Sequence, residues 1–327
     1  MQTFIEYIAK KLVANLPETK TSWIVPGFRA KTQLQKQVLE MLPKPTLSLS
    51  VYTLQEFIQI NAEIKPIERY AAAVYLFRIF RQSKAYNDES FESFYPKALT
   101  LISDFNFIDA NLKDTSEFFT YLSAEKSLLR WQLDQQKPDD MVAAFTNFWN
   151  EIPDLYTRFK KLLLTNNLGY AAMLYDSAER RLLNQPKQHF YFIGFNASSH
   201  VELQLLNRLK AKHETYFFYD VDHFLFQQKH YSLNAILKTT KALDIPSEKL
   251  KEVTAHFAEQ KTFNIQGYSN SMSLTQAIGQ RIIETSRSNT PLHKIAIVLG
   301  DESLLLPIIE QLPQEISFNA GIGIKLS

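Results

Sequence analysis

Two short apolar runs joined by one helix-period segment constrain this chain more than any other feature. Residues 190–193 (Phe-Tyr-Phe-Ile) end at Gly194-Phe195-Asn196, residues 201–209 place apolar side chains at helical spacing, and residues 215–219 end at Asp220-Val221-Asp222. A β-rich run, a helix and a second β-rich run predict a βαβ unit of a parallel sheet. In such sheets ligands bind beyond the carboxyl ends of the strands. A sheet that hydrolysed nucleotides would need a carboxylate there for Mg²⁺. The first of these ends offers Gly194-Phe195-Asn196 instead.

At 327 residues the chain is long enough for two domains, or for one domain with a large insertion. Apolar residues make up 45% and charged residues 21%, so a sizeable core is affordable and global disorder is not expected. The net charge of +2 gives nucleic acid no bulk attraction, and any such partner would have to use a local basic patch. With no cysteine, disulfides, thiolate zinc sites and cysteine nucleophiles are excluded. Residues 1–16 alternate apolar and polar at helical spacing around Lys10 and Lys11, which is not a secretory leader, and no run of 18 apolar residues occurs. A cytoplasmic protein that does not span a membrane is expected.

Three regions follow from the periodicity. Residues 1–65 read as α/β: an amphipathic helix with Phe4, Ile5, Ile8, Leu12 and Val13 on one face, then a strand at 22–25 stopped by Pro26-Gly27. A helix with Leu34, Val38, Leu39 and Leu42 comes next, then a strand at 47–52, with Thr53 placed to cap a helix over 54–60. Residues 66–185 read as all-helical, with helices at 67–80 (Tyr70, Val74 and Phe77 in register), 91–105, 115–122, 141–149, 155–164 and 170–183. The third region returns to α/β. It holds the βαβ unit, helices at 233–243, 247–260, 273–286 and 304–312, and at 295–299 (Ile-Ala-Ile-Val-Leu) the cleanest buried strand of the sequence. Only about two strands and two helices follow residue 262, less than a compact α/β domain requires.

Catalytic signatures are missing. The eight glycines form no G-x-x-x-x-G-K-[ST] phosphate loop, and Gly321-x-Gly323 is followed by no helix. The seven histidines make neither H-x-x-x-H nor H-E-x-x-H, and there is no G-x-S-x-G elbow. Asp220-x-Asp222 puts two carboxylates on one side of a strand end, the arrangement with which a nucleotide-sugar glycosyltransferase holds Mn²⁺ and a diphosphate. The plainer reading is two solvated acids. Asp301-Glu302 reads as acids favouring a helix start.

The order of the segments resembles the N-terminal, inactivated-helicase region of AddB-type proteins, members of the PD-(D/E)XK nuclease superfamily that act in bacterial double-strand break repair. The likeness rests on Trp23-Ile24-Val25-Pro26-Gly27-Phe28-Arg29-Ala30 and Val51-Tyr52-Thr53-Leu54-Gln55-Glu56-Phe57. It rests also on Phe91, Phe94, Tyr95, Leu101, Asp104, Phe105, Ile108 and Asp109, on residues 189–196, on Tyr219-Asp220-Val221-Asp222, and on residues 295–306. Lys97 departs, standing where the family carries glycine. The resemblance implies a degenerate P-loop (RecA-like) parallel sheet domain from residues 1–65 and 186–262, its phosphate loop absent. A helical insertion would fill 66–185 and the start of a second RecA-like domain 263–327. It further implies a non-catalytic scaffold that engages single-stranded DNA or a partner helicase subunit during end processing, with no ATPase activity, no cofactor and no metal. The exonuclease domain would lie downstream.

If DNA binds, phosphates should supply most of the affinity through Lys and Arg, with bases stacking on aromatic rings. Arg29, Lys31, Gln33 and Thr53, on the loops after the first strands, are the candidate contacts, since in active relatives the matching elements line the single-strand path. Arg29 and Lys31 also read as solvated residues at a helix start, Thr53 as a helix cap, and Arg180 and Arg181 as decoration of an exposed helix face. The DxD glycosyltransferase and a protein-only helical adaptor are the alternatives.

Overall fold

A computed structural model describes residues 3–14, 21–42, 49–82, 89–111, 118–119, 140–246, 250, 255–288, 290–313 and 315–321. The chain divides into two compact units, Met1–Glu259 and Gln260–Ser327.

The first unit is a mixed α/β structure around a four-stranded parallel sheet. Its strands are β1 (Thr21–Val25), β2 (Val51–Thr53), β5 (His189–Ile193) and β6 (Glu214–Phe218), in the order β2-β1-β5-β6. Strand parity explains the two cores. Trp23, Val25 and Ile193 face α1 (Phe4–Ala14) and α2 (Phe28–Met41), packing with Phe4, Ile8, Leu12, Leu34 and Val38. Ile24, Phe190 and Phe192, one residue out of phase, enter a second cluster with α3 (Leu54–Asn61) and the helices beyond it. On the first face Trp23, Tyr191 and Tyr216 stack across three strands at 4.2 and 4.8 Å. The connection from β1 to β2 runs through α2 on one face, and that from β5 to β6 through α8 (His200–Lys212) on the other. The sheet therefore reverses winding between β1 and β5.

The helical layer consists of α4 (Arg69–Phe80), α5 (Phe91–Asn111), α6 (Asp140–Thr165) and α7 (Ala171–Leu183). Its core is continuous with the second face of the sheet. Three expectations need correction. The helices expected at 141–149 and 155–164 are one, α6, which runs through Pro153. Proline removes one backbone donor, yet Ile152, Leu155, Tyr156, Phe159 and Leu163 form one buried stripe across the site, and packing outweighs the lost bond. In α4 the buried face is Ala72, Ala73, Leu76, Ile79 and Phe80, whereas Tyr70 is 62% exposed. Alanines let neighbouring helices approach closely, and Tyr70 rests edge-on against Phe91 at the surface. The region expected to lack strands contributes β3 (Lys65–Pro66) and β4 (Leu168–Gly169), which pair in parallel. The helix expected at 115–122 falls mostly outside the described residues, as does that at 247–260, of which His256–Ala258 forms a 3₁₀ turn.

The first unit ends in a small cluster of Tyr219, Val221, Leu233, Ile236 and Leu250. It packs around α9 (His223–Gln227) and α10 (Asn234–Ala242).

In the second unit α11 (Ser271–Arg287) is capped by the Asn270 side chain, and α12 (Leu305–Glu310) follows a turn capped by Asp301. The strand expected at 295–299 is absent there: Ile297 is 43% and Val298 91% exposed, and no ladder forms among the described residues. Phe263 and Ile265, earlier in the same unit, are exposed as well. An apolar run specifies which way side chains alternate, but a strand exists only when a neighbour accepts its backbone groups. No helix among the described residues is long and apolar enough to cross a membrane.

One buried group gives the fold an acid sensitivity. His213, 4% exposed, accepts from the Gln188 amide at Nδ1 (3.3 Å) and places Nε2 3.1 Å from the Leu182 carbonyl, which fixes a neutral ring. Burial pulls its pKa below 6.5. The unfolded chain then takes up a proton that the folded chain refuses, so stability is full above pH 6.5 and falls as the pH drops below it toward the folded pKa. Urea midpoints measured from pH 7.5 to 5 should decline, and His213→Asn should flatten that decline.

Candidate nucleic-acid interface at the carboxyl edge of the sheet

At the winding reversal the ends of β1 and β5 face each other. Gly194 adopts φ +77, a left-handed conformation that L side chains resist, and a Cβ built on it would lie 3.9 Å from the Pro26 ring. Its amide donates to the Phe218 carbonyl at 2.8 Å, tying the end of β5 to β6. Phe195 turns inward against Phe192, and Asn196 is exposed. The described residues at these strand ends are thus a proline, a glycine and an amide, and none of the three is an acid.

Helix α2 starts at this crevice. Gly27 is its N-cap in extended conformation, and no side chain caps its first amides. Phe28 is 70% exposed and Arg29 is exposed beside it. The Arg29 guanidinium makes no hydrogen bond or ion pair among the described residues. Gln33, one turn on, shares the outward face with Arg29.

Lys31 and Thr53 do different work. Lys31 projects from the opposite side of α2, and its Nζ sits 2.8 Å from both Glu56 carboxylate oxygens. Glu56 is the third residue of α3 and closes a capping box: the Thr53 Oγ1 accepts from the Glu56 amide at 3.1 Å, and the Glu56 carboxylate accepts from the Thr53 amide at 2.8 Å. The Lys31 hydrogen bond, then that from the Thr53 backbone, holds the Glu56 carboxyl below its usual range. Of the four sequence candidates, then, Arg29 and Gln33 face solvent, while Lys31 and Thr53 meet through Glu56 and join α2 to α3. Glu56 was legible as the fourth residue of Thr53-x-x-Glu56. Phe28 was missed, and its signal was a large aromatic directly after a Pro-Gly stop.

At the far strand, Asp222 is a cap. Its Oδ1 accepts from the amides of Phe224 (3.0 Å) and Leu225 (3.3 Å), and its Oδ2 from the amide of Phe257 (3.0 Å). Burial pushes its pKa up, but these backbone donors outweigh burial and hold it low. Asp220 is raised, first by burial and then by the Asp222 charge. Asp222 is thus already engaged by three backbone donors, as a helix cap is. Among the described residues no group of three or more His, Asp or Glu could hold a metal ion. Arg180 and Arg181 are exposed on the last turn of α7, as expected.

No known protein-family model matches this chain, and a search of curated proteins finds none similar to it.

Proposed function

We propose that this chain is a helicase-like scaffold without motor chemistry, of the AddB type, which holds single-stranded DNA at the carboxyl edge of a RecA-like sheet for a partner helicase or nuclease subunit. One observation carries the reading. At the winding reversal, where a nucleotide-hydrolysing sheet sets a metal-holding acid, the described residues of this chain set an exposed phenylalanine and an exposed arginine. Phe28 offers a flat face to a base, and Arg29 a planar cation to the adjoining phosphate. The uncapped amides opening α2 favour the same anion. The order of sequence segments supports the family assignment independently.

Anisotropy titrations with fluorescent oligothymidine at several salt concentrations test it. Phe28→Ala should weaken binding about tenfold, within the roughly 1–3 kcal/mol of a base–aromatic stack. Arg29→Ala should lower the salt slope by about 0.7, the value for one phosphate on a single strand. Lys31→Ala should have a smaller effect than Arg29→Ala, because Glu56 already engages its ammonium. Thr53→Ala should lower stability by about 1 kcal/mol and leave affinity unchanged. Undetectable binding at low salt would sink the proposal and leave a protein-only adaptor as the better account.

A further inference from the structure

A second group of exposed rings stands at the same edge, beyond β6. Phe224 of α9 stacks on Phe257 with centroids 6.0 Å apart and planes at 24°. His230 lies 6.3 Å from Phe257, and Tyr231 lies 4.3 Å from His230, both at 38°. The order is thus Phe224, Phe257, His230, Tyr231. Exposure is 39% at Phe224, 51% at Phe257 and 76% at Tyr231. Burying apolar area does not account for rings left this open, yet they are held firmly in place. The Asp222 carboxylate ties the start of α9 to the Phe257 amide, and His230 Nδ1 caps the next turn by accepting from the Ser232 amide at 3.3 Å.

We infer that this row is a second stacking platform for unpaired bases, so that a single strand lies along the carboxyl edge from β1 across β5 to β6. The inference rests on the reading in the preceding subsection. Neighbouring strands are about 4.8 Å apart, so the ends of β1 and β6 are separated by roughly 10 Å across the sheet. That span is within reach of a few nucleotides. Local charge suits phosphate: Lys229, next to His230 in the chain, makes no hydrogen bond or ion pair through its ammonium among the described residues. The opposing acids are largely engaged. Among the described residues Asp222 accepts its backbone donors and Glu259 pairs with His256.

Ring geometry separates bases from the other ligand of exposed aromatics, an organic cation. A cation cage needs rings set as walls around a point, with a ready carboxylate. Here each ring is inclined to the next by less than 40°, and the row ends in the open ring of Tyr231.

The experiment uses the full chain with labelled dT2 and dT20. A Phe224→Ala/Tyr231→Ala variant should bind dT20 about tenfold or more weakly while its dT2 affinity is unchanged, and its occluded site should shrink. Tyr231→Phe should restore dT20 affinity, because the ring face rather than the hydroxyl is the contact. Should Phe28→Ala weaken DNA binding while the double variant leaves dT20 affinity intact, the second platform falls and the first reading stands. Should the unaltered chain bind neither oligonucleotide, both fall. Quenching of tyrosine emission by tetramethylammonium, with none by dT20, would make the row a cation site and overturn the inference.

Discussion

Replacing Asp109 by alanine should destabilise the first unit by about 3–5 kcal/mol, the range for removing one partner of a buried ion pair. Asp109, on α5, is 9% exposed at its side chain and takes three partners from two other segments. The hydroxyls of Tyr156 (α6) and Tyr170 (at the start of α7) donate to it, and Lys160 Nζ lies 3.0 Å away. Burial, followed by the Asp109 charge or hydrogen bond, raises both tyrosines, so they remain donors at any working pH. Burial works against the Lys160 charge, but Tyr156 and Asp109 reverse that effect and hold its pKa up. Alanine would leave an ammonium and two hydroxyls without their acceptor. Asp109→Asn keeps an acceptor oxygen and should lose roughly half as much. Adding Lys160→Met to the alanine variant should recover part of the loss, a coupling a double-mutant cycle would measure. Urea denaturation reads all of these. A loss under about 1 kcal/mol for Asp109→Ala would mean that the network is only decoration.

Legibility in the sequence followed how local each cause was. The alternation of Phe190, Tyr191, Phe192 and Ile193 places successive residues on opposite faces whatever surrounds them, and so the βαβ unit was plain. The capping box at Thr53 and Glu56 is equally local. The face of α4 was misjudged because two alanines carry little hydrophobic signal, although small size is what lets α5 approach. The run at 295–299 has the composition of a strand and lacks the neighbour that would make it one. Lys31 reads in the sequence as available to a phosphate because its partner, Glu56, lies on another helix 25 residues away. At the candidate site, residue types were readable and their directions were not. Arg29 and Lys31 differ by two positions, which on a helix sends one to solvent and the other to α3.

Phe192→Ala should cost about 3–5 kcal/mol, as expected for a fully buried aromatic cut back to a methyl group. Phe192 is 1% exposed near the carboxyl end of β5 and touches the rings of Phe57 on α3, Phe217 on β6 and Phe195 in the turn beyond its own strand. One side chain thus joins the sheet, the helix capped by Thr53, and the turn that carries Gly194. Leucine fills much of the same volume and should cost less than half as much. The comparison with Phe28→Ala is the informative one, since both changes remove a phenyl ring near one crevice. Phe192→Ala should lower the urea midpoint sharply, while the fraction still folded at low temperature keeps most of its affinity for single-stranded DNA. Phe28, 70% exposed, should give the reverse: an unchanged midpoint and about tenfold weaker binding. If both variants lost stability and affinity in parallel, the exposed ring would be acting as part of the scaffold, and the carboxyl edge would have no separable binding surface.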